Sequence, residues 1–326
     1  MTDSVRRPTV VLSTDQPDVP LAILHETHPD LTVLACDTYA ALPDTIARSG
    51  AEVVYSNYFD RSQPFPHAVL VDSATVRWIS VGGSGTDHLQ PWDPTRLAVT
   101  NAAGVAAGMM AEYALGAMLS FSLDLPGFAQ ARRERRWNGS AKVEPIEGKT
   151  VLVLGLGHTG EAVAQRCKAM GMHVDGVRAN PKPTAHVDTV HGMDALPGLW
   201  GQADFIVCAV PLLASTRSLV SQAAFAAMKP TAVLIDVSRG GVVEEEPLVR
   251  ALAERRIQGA ALDVFASEPL PADHPLWGLE NVILTPHCSS VYDGWEEKAV
   301  RMFAENLSRY CNGAPLANLV DPRRGY

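Results

Sequence analysis

Short apolar runs alternate with helix-compatible stretches along the chain. Each run is continuous, which is typical of strands buried on both faces of a parallel sheet. This strand–helix alternation predicts an α/β fold. The predicted strands are 9–13, 31–35, 52–55, 77–81, 97–100, 151–154, 172–177, 204–210, 232–237, 258–264 and 282–285, and the predicted helices include 19–26, 43–49, 106–125, 244–255 and 292–310.

The length of 326 residues fits two domains better than one. We predict one domain from residues 1–100 and 289–326, because the last helix is expected to fold back onto the N-terminal unit. Residues 101–288 are predicted to form the other domain. Both are expected to be doubly wound parallel sheets, Rossmann-like or flavodoxin-like, whose ligands bind at the carboxyl ends of the strands.

A glycine-rich loop follows the predicted strand 151–154 and precedes a helix. Gly155, Gly157 and Gly160 have the spacing G-x-G-x-x-G. The first glycine allows a tight turn, the second lets a pyrophosphate approach the backbone, and the third lets helix and strand pack closely. The strand before and the helix after are the context that the motif needs. The loop therefore predicts a dinucleotide site formed by Gly155, Leu156, Gly157, His158, Thr159 and Gly160.

The residue that selects the cofactor is expected about twenty positions further on. Arg178 stands there, at the end of the next predicted strand, and Lys182 follows. A guanidinium suits the 2′-phosphate of NADP, whereas a carboxylate suits the ribose of NAD. NADP(H) is therefore the expected cofactor and NAD(H) the alternative, in which Asp175 binds the ribose after a register change.

Composition argues against several classes of function. The net charge of −9 argues against nucleic-acid and anionic-membrane binding. Five scattered cysteines and no Cys/His cluster favour a cytoplasmic protein without disulfides or metal. The apolar stretch 106–125 is interrupted by Glu112 and Asp124, so we expect a buried helix and not a membrane span. The basic run 132–136 is interpreted as a helix face.

Three ionisable residues follow successive predicted strands of the second domain: Arg239, Glu268 and His287. In a doubly wound sheet these strand ends converge on one crevice. A cation can hold a carboxylate, a histidine can carry one proton near neutral pH, and an acid can orient that histidine. The spacing is compatible with hydride-transfer chemistry; a surface carboxylate at Glu268 and a capped loop histidine at His287 are the alternatives.

The chain resembles the D-isomer-specific 2-hydroxyacid dehydrogenase family along nearly its whole length. The stretches that carry the resemblance are VGGSGTD (81–87), NAAG (101–104), AEY (111–113), GLGHTG (155–160), DVSRGG (236–241), DVFASEP (263–269) and TPH (285–287). The resemblance implies that Arg239 binds and polarises the substrate, that Glu268 supports the histidine, and that His287 is the acid/base.

The same resemblance implies further site residues. The backbone at Ser84 and Gly85 would receive the substrate carboxylate, in a Gly-rich turn whose amides suit an anion. Pro211 would line the cofactor, and Asp263 would lie near the nicotinamide carboxamide.

The resemblance also implies how the molecule is assembled. Trp137 would belong to a helical region that forms a homodimer. The active-site cleft would lie between the domains. Independently of the resemblance, the loop 56–60 follows the predicted strand 52–55, and this place at a strand end makes it a candidate substrate wall or an ordinary polar loop.

Some positions depart from the family pattern. Leu213 stands where many members have Thr, and Asp236 replaces a frequent Asn. Cys288, next to His287, is interpreted as a packed residue, with a redox-sensitive thiol as the alternative.

The sequence therefore predicts an NADP-preferring reductase of a small 2-keto acid, glyoxylate or hydroxypyruvate in the first place. A reductase of a bulkier 2-keto acid, a phosphite dehydrogenase and a non-catalytic dinucleotide-sensing protein are the alternatives. Formate dehydrogenation is disfavoured, because relatives with that activity carry Gln at the position of Glu268.

Overall fold

The computed structural model describes residues 6–57 and 63–323. The chain divides into two compact units, Met1–Val105 with Tyr292–Tyr326, and Ala106–Val291. The chain passes from one unit to the other after Val105 and again after Val291. The boundaries expected from the sequence were 100/101 and 288/289, a few residues earlier.

The first unit is built on a five-stranded parallel sheet. Its elements are β1 (Val10–Ser13), α1 (Asp18–Thr27), β2 (Val33–Cys36), α2 (Leu42–Ser49), β3 (Val53–Ser56), α3 (His67–Val71), β4 (Trp78–Val81), β5 (Ala98–Asn101) and, from the far end of the chain, α10 (Trp295–Cys311). The strand order β2-β1-β3-β4-β5 is the flavodoxin-like order. Helix α10 covers this sheet, and its Phe303 packs against Tyr55 and Trp78.

The second unit is built on a seven-stranded parallel sheet. Its elements are α4 (Ala107–Ser122), α5 (Leu125–Arg133), β6 (Thr150–Leu154), α6 (His158–Ala169), β7 (His173–Val177), β8 (Thr189–His191), α7 (Leu196–Leu199), β9 (Phe205–Cys208), α8 (Gln222–Ala227), β10 (Val233–Asp236), α9 (Glu245–Ala253), β11 (Gly259–Leu262) and β12 (Val282–Leu284). The strands follow the order β12-β11-β10-β9-β6-β7-β8. The order reverses between β6 and β9, as in dinucleotide-binding sheets.

Both faces of this second sheet are buried. Along β6, Val151 and Val153 belong to the apolar cluster that contains α4 and α6, while Leu152 and Leu154 belong to the cluster on the opposite face. Burial on both sides therefore explains the unbroken apolar run. The predicted α/β class with two parallel sheets is confirmed.

The helix predicted over 106–125 is shorter than expected. It ends at Ser122, because Asp124 adopts a left-handed conformation (φ 49°) and accepts a hydrogen bond from the Gly127 amide at 3.2 Å. Asp124 thereby caps a new helix, α5.

Other local predictions also differ from the structure. Helix α5 ends at Arg133, so only part of the basic run 132–136 is helical. Strand β8 and the short helices α3, α7 and α8 were not predicted. Within the described ranges, no helix has both the length and the apolar character that crossing a membrane requires.

One carboxyl group is enclosed at the end of β10. Asp236 is 3% exposed, and it accepts hydrogen bonds from the Ser238 amide at 2.9 Å and from the Ser238 hydroxyl. Burial raises the pKa of Asp236 to about 6; the Ser238 hydrogen bonds oppose the shift, and the nearby Asp263 carboxylate adds to it. The ionised form is therefore less stable here than in the unfolded chain.

This burial predicts a pH-dependent stability. Between the ordinary pKa of 3.8 and about 6, the folded protein keeps a proton that the unfolded chain has lost, so stability falls as pH rises through this window. Asp236→Asn keeps an oxygen for Ser238 and removes the charge. We therefore expect the free energy of unfolding of Asp236→Asn, measured by urea denaturation, to rise relative to that of wild type by about 1–3 kcal/mol from pH 4 to pH 8.

Asp93→Asn is the control, because the pKa of Asp93 is lowered by its hydrogen bonds from Thr95. Below about pH 4 its stability relative to wild type should fall as pH rises, which is the opposite direction, and between pH 4 and pH 8 it should change little. A pH-independent difference between Asp236→Asn and wild type would contradict the prediction.

Candidate active site

The central contact of the site joins a histidine and a glutamate. His287 lies three residues past β12, and its Nδ1 is 2.7 Å from Oε2 of Glu268. The other carboxylate oxygen, Oε1, accepts a hydrogen bond from the Phe265 amide at 3.0 Å. Glu268 is thus held at both oxygens and accepts the proton on Nδ1, which leaves Nε2 as the ring nitrogen that could exchange a proton with a ligand.

The predicted cation, Arg239, follows β10, which is separated from β12 by β11 in the sheet. Arg239 is half-buried, and its Nη1 donates to the Ser238 carbonyl at 2.8 Å. The next residue, Gly240, packs so closely that a Cβ there would lie 1.9 Å from the Phe265 carbonyl oxygen. The loop that carries Arg239 is therefore seated directly on the loop that carries Glu268.

A buried carboxylate fixes the histidine loop. Asp263 is fully buried, and its Oδ1 accepts from the Thr285 hydroxyl at 2.6 Å and from the Cys288 amide at 2.9 Å. Its Oδ2 accepts from the Ser289 amide at 2.9 Å. His287, between these attachments, has φ 53°, a conformation that is unfavourable for a residue with a Cβ. The Asp263 contacts hold it there.

The thiol of Cys288 lies in this same loop. Burial, together with the Asp263 carboxylate, raises the pKa of the Cys288 thiol. A raised pKa leaves less thiolate near neutral pH, and the thiolate is the reactive form. The interpretation of Cys288 as a packed residue is therefore favoured over a redox-sensitive thiol.

The glycine-rich loop has a geometry that suits a dinucleotide. A Cβ at Gly160 would lie 1.8 Å from the Gly155 carbonyl oxygen, so helix α6 can pack this closely only on glycine. Apart from Gly157 itself and its two chain neighbours, no described heavy atom lies within 4 Å of the corresponding position at Gly157, which leaves room for a pyrophosphate.

The other residues of this loop have different surroundings. His158 and Thr159 form the first turn of α6, directly after Gly157. Leu156 is buried, and its side chain lies against Gly176 of β7, where a Cβ would come within 2.7 Å of it. The loop therefore presents its backbone to a ligand while its leucine packs into the sheet.

Arg178 follows β7 directly, and its amide donates to the His191 carbonyl at 3.1 Å. Its Nη1 is buried and has no hydrogen-bond partner among the described residues, so the guanidinium presents a donor that an anionic ligand would satisfy. Lys182 is exposed.

Asp175 lies inside β7, and its Oδ1 is 3.4 Å from His191 Nε2 and 3.5 Å from His173 Nε2. These contacts engage Asp175 within the sheet, which argues against the alternative in which it binds the ribose.

Pro211 lies three residues past β9, on the other side of the reversal in strand order. Its carbonyl accepts from the Thr216 hydroxyl at 2.6 Å, and the same hydroxyl accepts from the Leu213 amide at 2.8 Å. Thr216 therefore shapes this loop without a side-chain hydroxyl at position 213. The glycine-rich loop after β6 and the Pro211 loop after β9 flank the place where doubly wound sheets bind nucleotides.

Ser84 and Gly85 belong to the first unit and follow β4. The Asn101 side chain donates to the Ser84 carbonyl at 2.7 Å, which fixes the conformation of this turn. The described part of the chain supplies no acceptor for the amides of Ser84 and Gly85. In the loop 56–60, residues 58–60 lie outside the described residues.

Reasoning from the local sequence pattern missed one contact of the site. Tyr113 and Thr285 stand out only as members of the family motifs, yet Tyr113 Oη is 2.9 Å from Thr285 Oγ1. The available signal is the position of Thr285 at the end of β12, which neighbours the end of β11 where Asp263 stands. Among the described residues, no group of three or more His, Cys, Asp or Glu side chains is arranged to hold a metal ion.

Comparisons of the sequence and of the structure with known proteins lead to the same family. Residues 115–289 match the model of the D-isomer specific 2-hydroxyacid dehydrogenase, NAD binding domain. A glyoxylate reductase of Thermococcus gammatolerans is 33% identical over 78% of this chain and 78% of its own length. A D-3-phosphoglycerate dehydrogenase of Methanocaldococcus jannaschii is also 33% identical over 78% of this chain, but the match spans only 49% of that protein.

Among solved structures, a D-isomer specific 2-hydroxyacid dehydrogenase from Xanthobacter autotrophicus Py2, in complex with NADPH and MES, superposes with a TM-score of 0.86. It is 31% identical, and the match covers 98% of this chain and 100% of that one. The resemblance inferred from the motifs is thereby confirmed, and the chain belongs to the D-isomer-specific 2-hydroxyacid dehydrogenase family.

Proposed function

We propose that this protein is an NADP-preferring reductase of small 2-keto acids. The observation that carries the proposal is the 2.7 Å contact between His287 and Glu268, at the carboxyl ends of the strands of the second sheet. A histidine fixed by a carboxylate can move one proton to or from a substrate oxygen. A protein that only senses a dinucleotide has no need of such a pair.

Each of the three reacting side chains has a distinct task in the proposed reaction. The nicotinamide cofactor, when bound, supplies or accepts the hydride. During reduction, His287 gives the proton on Nε2 to the oxygen of the keto group, and Glu268 stabilises the imidazolium through Nδ1. Arg239 binds the substrate and stabilises the negative charge that develops on this oxygen. In the oxidative direction neutral His287 removes the proton.

The substrate carboxylate is assigned to the amides of Ser84 and Gly85. Two or more backbone amides that point the same way form a site for an anion, and these two have no acceptor among the described residues. Glyoxylate and hydroxypyruvate are the proposed substrates, supported by the similarity to a glyoxylate reductase. A bulkier 2-keto acid is the competing candidate, because a D-3-phosphoglycerate dehydrogenase is equally similar over the shared part.

The cofactor preference rests on the buried Nη1 of Arg178. A donor without a partner among the described residues is unfavourable in a protein interior, and a phosphate oxygen would remove that penalty. Lys182, four residues further, supplies a second positive charge from an exposed position. The similar structure from Xanthobacter autotrophicus was solved with NADPH, which supports this choice. Asp263 is assigned to the nicotinamide end of the cofactor, and Pro211 to its wall.

A homodimer is proposed from the surface of the second unit. The segment 123–143 exposes several large apolar side chains, of which Trp137 is 95% exposed. A segment that exposes several large apolar side chains favours a surface that binds another protein. Its other exposed apolar members are Leu123, Leu125, Phe128 and Val143.

The cytoplasm is the proposed compartment. All five cysteines are free, and four of them are buried. Free thiols persist in a reducing compartment, whereas an oxidising one favours disulfides.

The proposed activity is tested by the oxidation of NADPH in the presence of a panel of 2-keto acids, followed by absorbance. We expect glyoxylate or hydroxypyruvate to give the highest kcat/KM. His287→Ala should lower kcat about 10²–10⁴-fold, because the proton donor is lost. His274→Ala is the matched control: its Nε2 is 3.0 Å from Glu245 in the same unit, and its loss should leave kcat nearly unchanged. Near-normal turnover of His287→Ala would exclude this mechanism.

The cofactor preference is tested at Arg178. Arg178→Ala should lower kcat/KM for NADPH about 10–100-fold, the value of one or two hydrogen bonds to a charged group, and should leave kcat/KM for NADH nearly unchanged. Arg250→Ala, which removes an exposed arginine of the same unit, should change neither value. Equal losses with both cofactors, or a wild-type preference for NADH, would contradict the proposal.

The homodimer is tested by sedimentation. Wild type should sediment with twice the mass of the chain, and Trp137→Asp should sediment as a monomer, because a charge in an apolar interface is unfavourable. Trp277→Asp changes another exposed tryptophan of the same unit and should remain a dimer. A monomeric wild type, or a dimeric Trp137→Asp, would contradict the proposed interface.

A further inference from the structure

A chain of hydrogen bonds leads from helix α4 to the loop that carries His287. Tyr113, on α4, is 2.9 Å from the Thr285 hydroxyl, and this hydroxyl is 2.6 Å from Asp263 Oδ1. Asp263 also accepts hydrogen bonds from the amides of Cys288 and Ser289, at 2.9 Å each. The hydrogen bonds therefore reach the backbone on both sides of His287.

The direction of these bonds follows from the number of protons. The Thr285 hydroxyl has a single proton, and it donates that proton to Asp263, whose carboxylate oxygens only accept. The bond between Tyr113 and Thr285 must then be donated by Tyr113. Burial raises the pKa of Tyr113 to about 12, so the phenol keeps its proton in the neutral range.

The turn at His287 is the part of this backbone that most needs support. His287 has φ 53°, a conformation that is unfavourable for a residue with a Cβ. Its own amide donates to the Thr285 carbonyl at 3.0 Å, and the next two amides are held by Asp263. A small relaxation of this turn would move the imidazole away from Glu268, because their 2.7 Å contact depends on the same backbone.

We propose that Tyr113 is a positioning residue for the proposed reaction: its hydroxyl orients Thr285, which fixes Asp263 and thereby the strained turn at His287. This inference rests on the proposed function for the role of His287. Tyr113 itself exchanges no proton with the substrate. It acts through Thr285, so its effect depends on the Thr285 hydroxyl being present.

The test is a double-mutant cycle with isosteric variants. Tyr113→Phe and Thr285→Val each remove one hydroxyl and little volume. We expect kcat to fall about 5–20-fold in Tyr113→Phe, with KM changed less than about twofold. In the Thr285→Val background, adding Tyr113→Phe should have no further effect. In the Thr285→Ser background, which keeps a hydroxyl, it should again lower kcat.

A second measurement is independent of turnover. Hydrogen exchange of the peptide that contains residues 287–291, followed by mass spectrometry, reports the amides of Cys288 and Ser289. These amides should exchange at least about fivefold faster in Tyr113→Phe and in Thr285→Val than in wild type. Tyr310→Phe is the control, because it removes the hydroxyl that bonds Glu52 in the first unit and should leave this peptide unchanged.

The two measurements separate the possible failures. The inference would be overturned if the losses in kcat of Tyr113→Phe and Thr285→Val multiplied in the double variant. Unchanged amide exchange at residues 287–291 would also overturn it. Absence of wild-type turnover across the 2-keto-acid panel would overturn the proposed function instead. The exchange rates would still decide whether Tyr113 holds the turn.

Discussion

The parallel pairing of the strands in the second unit determines where its chemistry is located. Neighbouring strands run in the same direction, so that Asp236, the last residue of β10, lies opposite Leu262, the last residue of β11. The strands therefore end at one edge of the sheet. Residues that are far apart along the chain, such as Arg239 and His287, follow strands that end at this edge, and no local feature of the sequence near either residue is needed to bring them there.

Close backbone packing brings the loops and the helix at this edge of the sheet against one another. Gly160 brings α6 against the Gly155 carbonyl, and Gly240 brings the Arg239 loop against the Phe265 carbonyl. In both places a Cβ would overlap with backbone atoms. The two glycines thus act by the same means on different parts of the proposed site: one brings helix α6 close to the end of β6, and the other brings the loop of Arg239 against the loop of Glu268.

Buried carboxyl groups provide the rigidity of the site. Asp263 is satisfied by three donors and holds a strained turn, whereas Asp236 is satisfied by Ser238 and bears a pKa raised by burial. Both fix loops that carry the proposed reacting side chains, and for Asp236 the raised pKa means that its ionisation lowers the stability of the fold. The strain at His287 is tolerated because hydrogen bonds hold the backbone on both sides of it.

The amino-acid pattern alone was enough to predict the α/β class, the strands with unbroken apolar runs and the glycine-rich loop, because these depend on local periodicity and on glycine's freedom near the backbone. It also indicated Arg239, Glu268 and His287 as candidates from their places after strands. It could not show the distance at which the Glu268 carboxylate meets the imidazole, that Asp175 is engaged by two histidines, or that the phenol of Tyr113 is bonded to the loop of the histidine. These contacts join distant segments, and their geometry is set by packing in the folded chain, which leaves no periodic signal in the sequence.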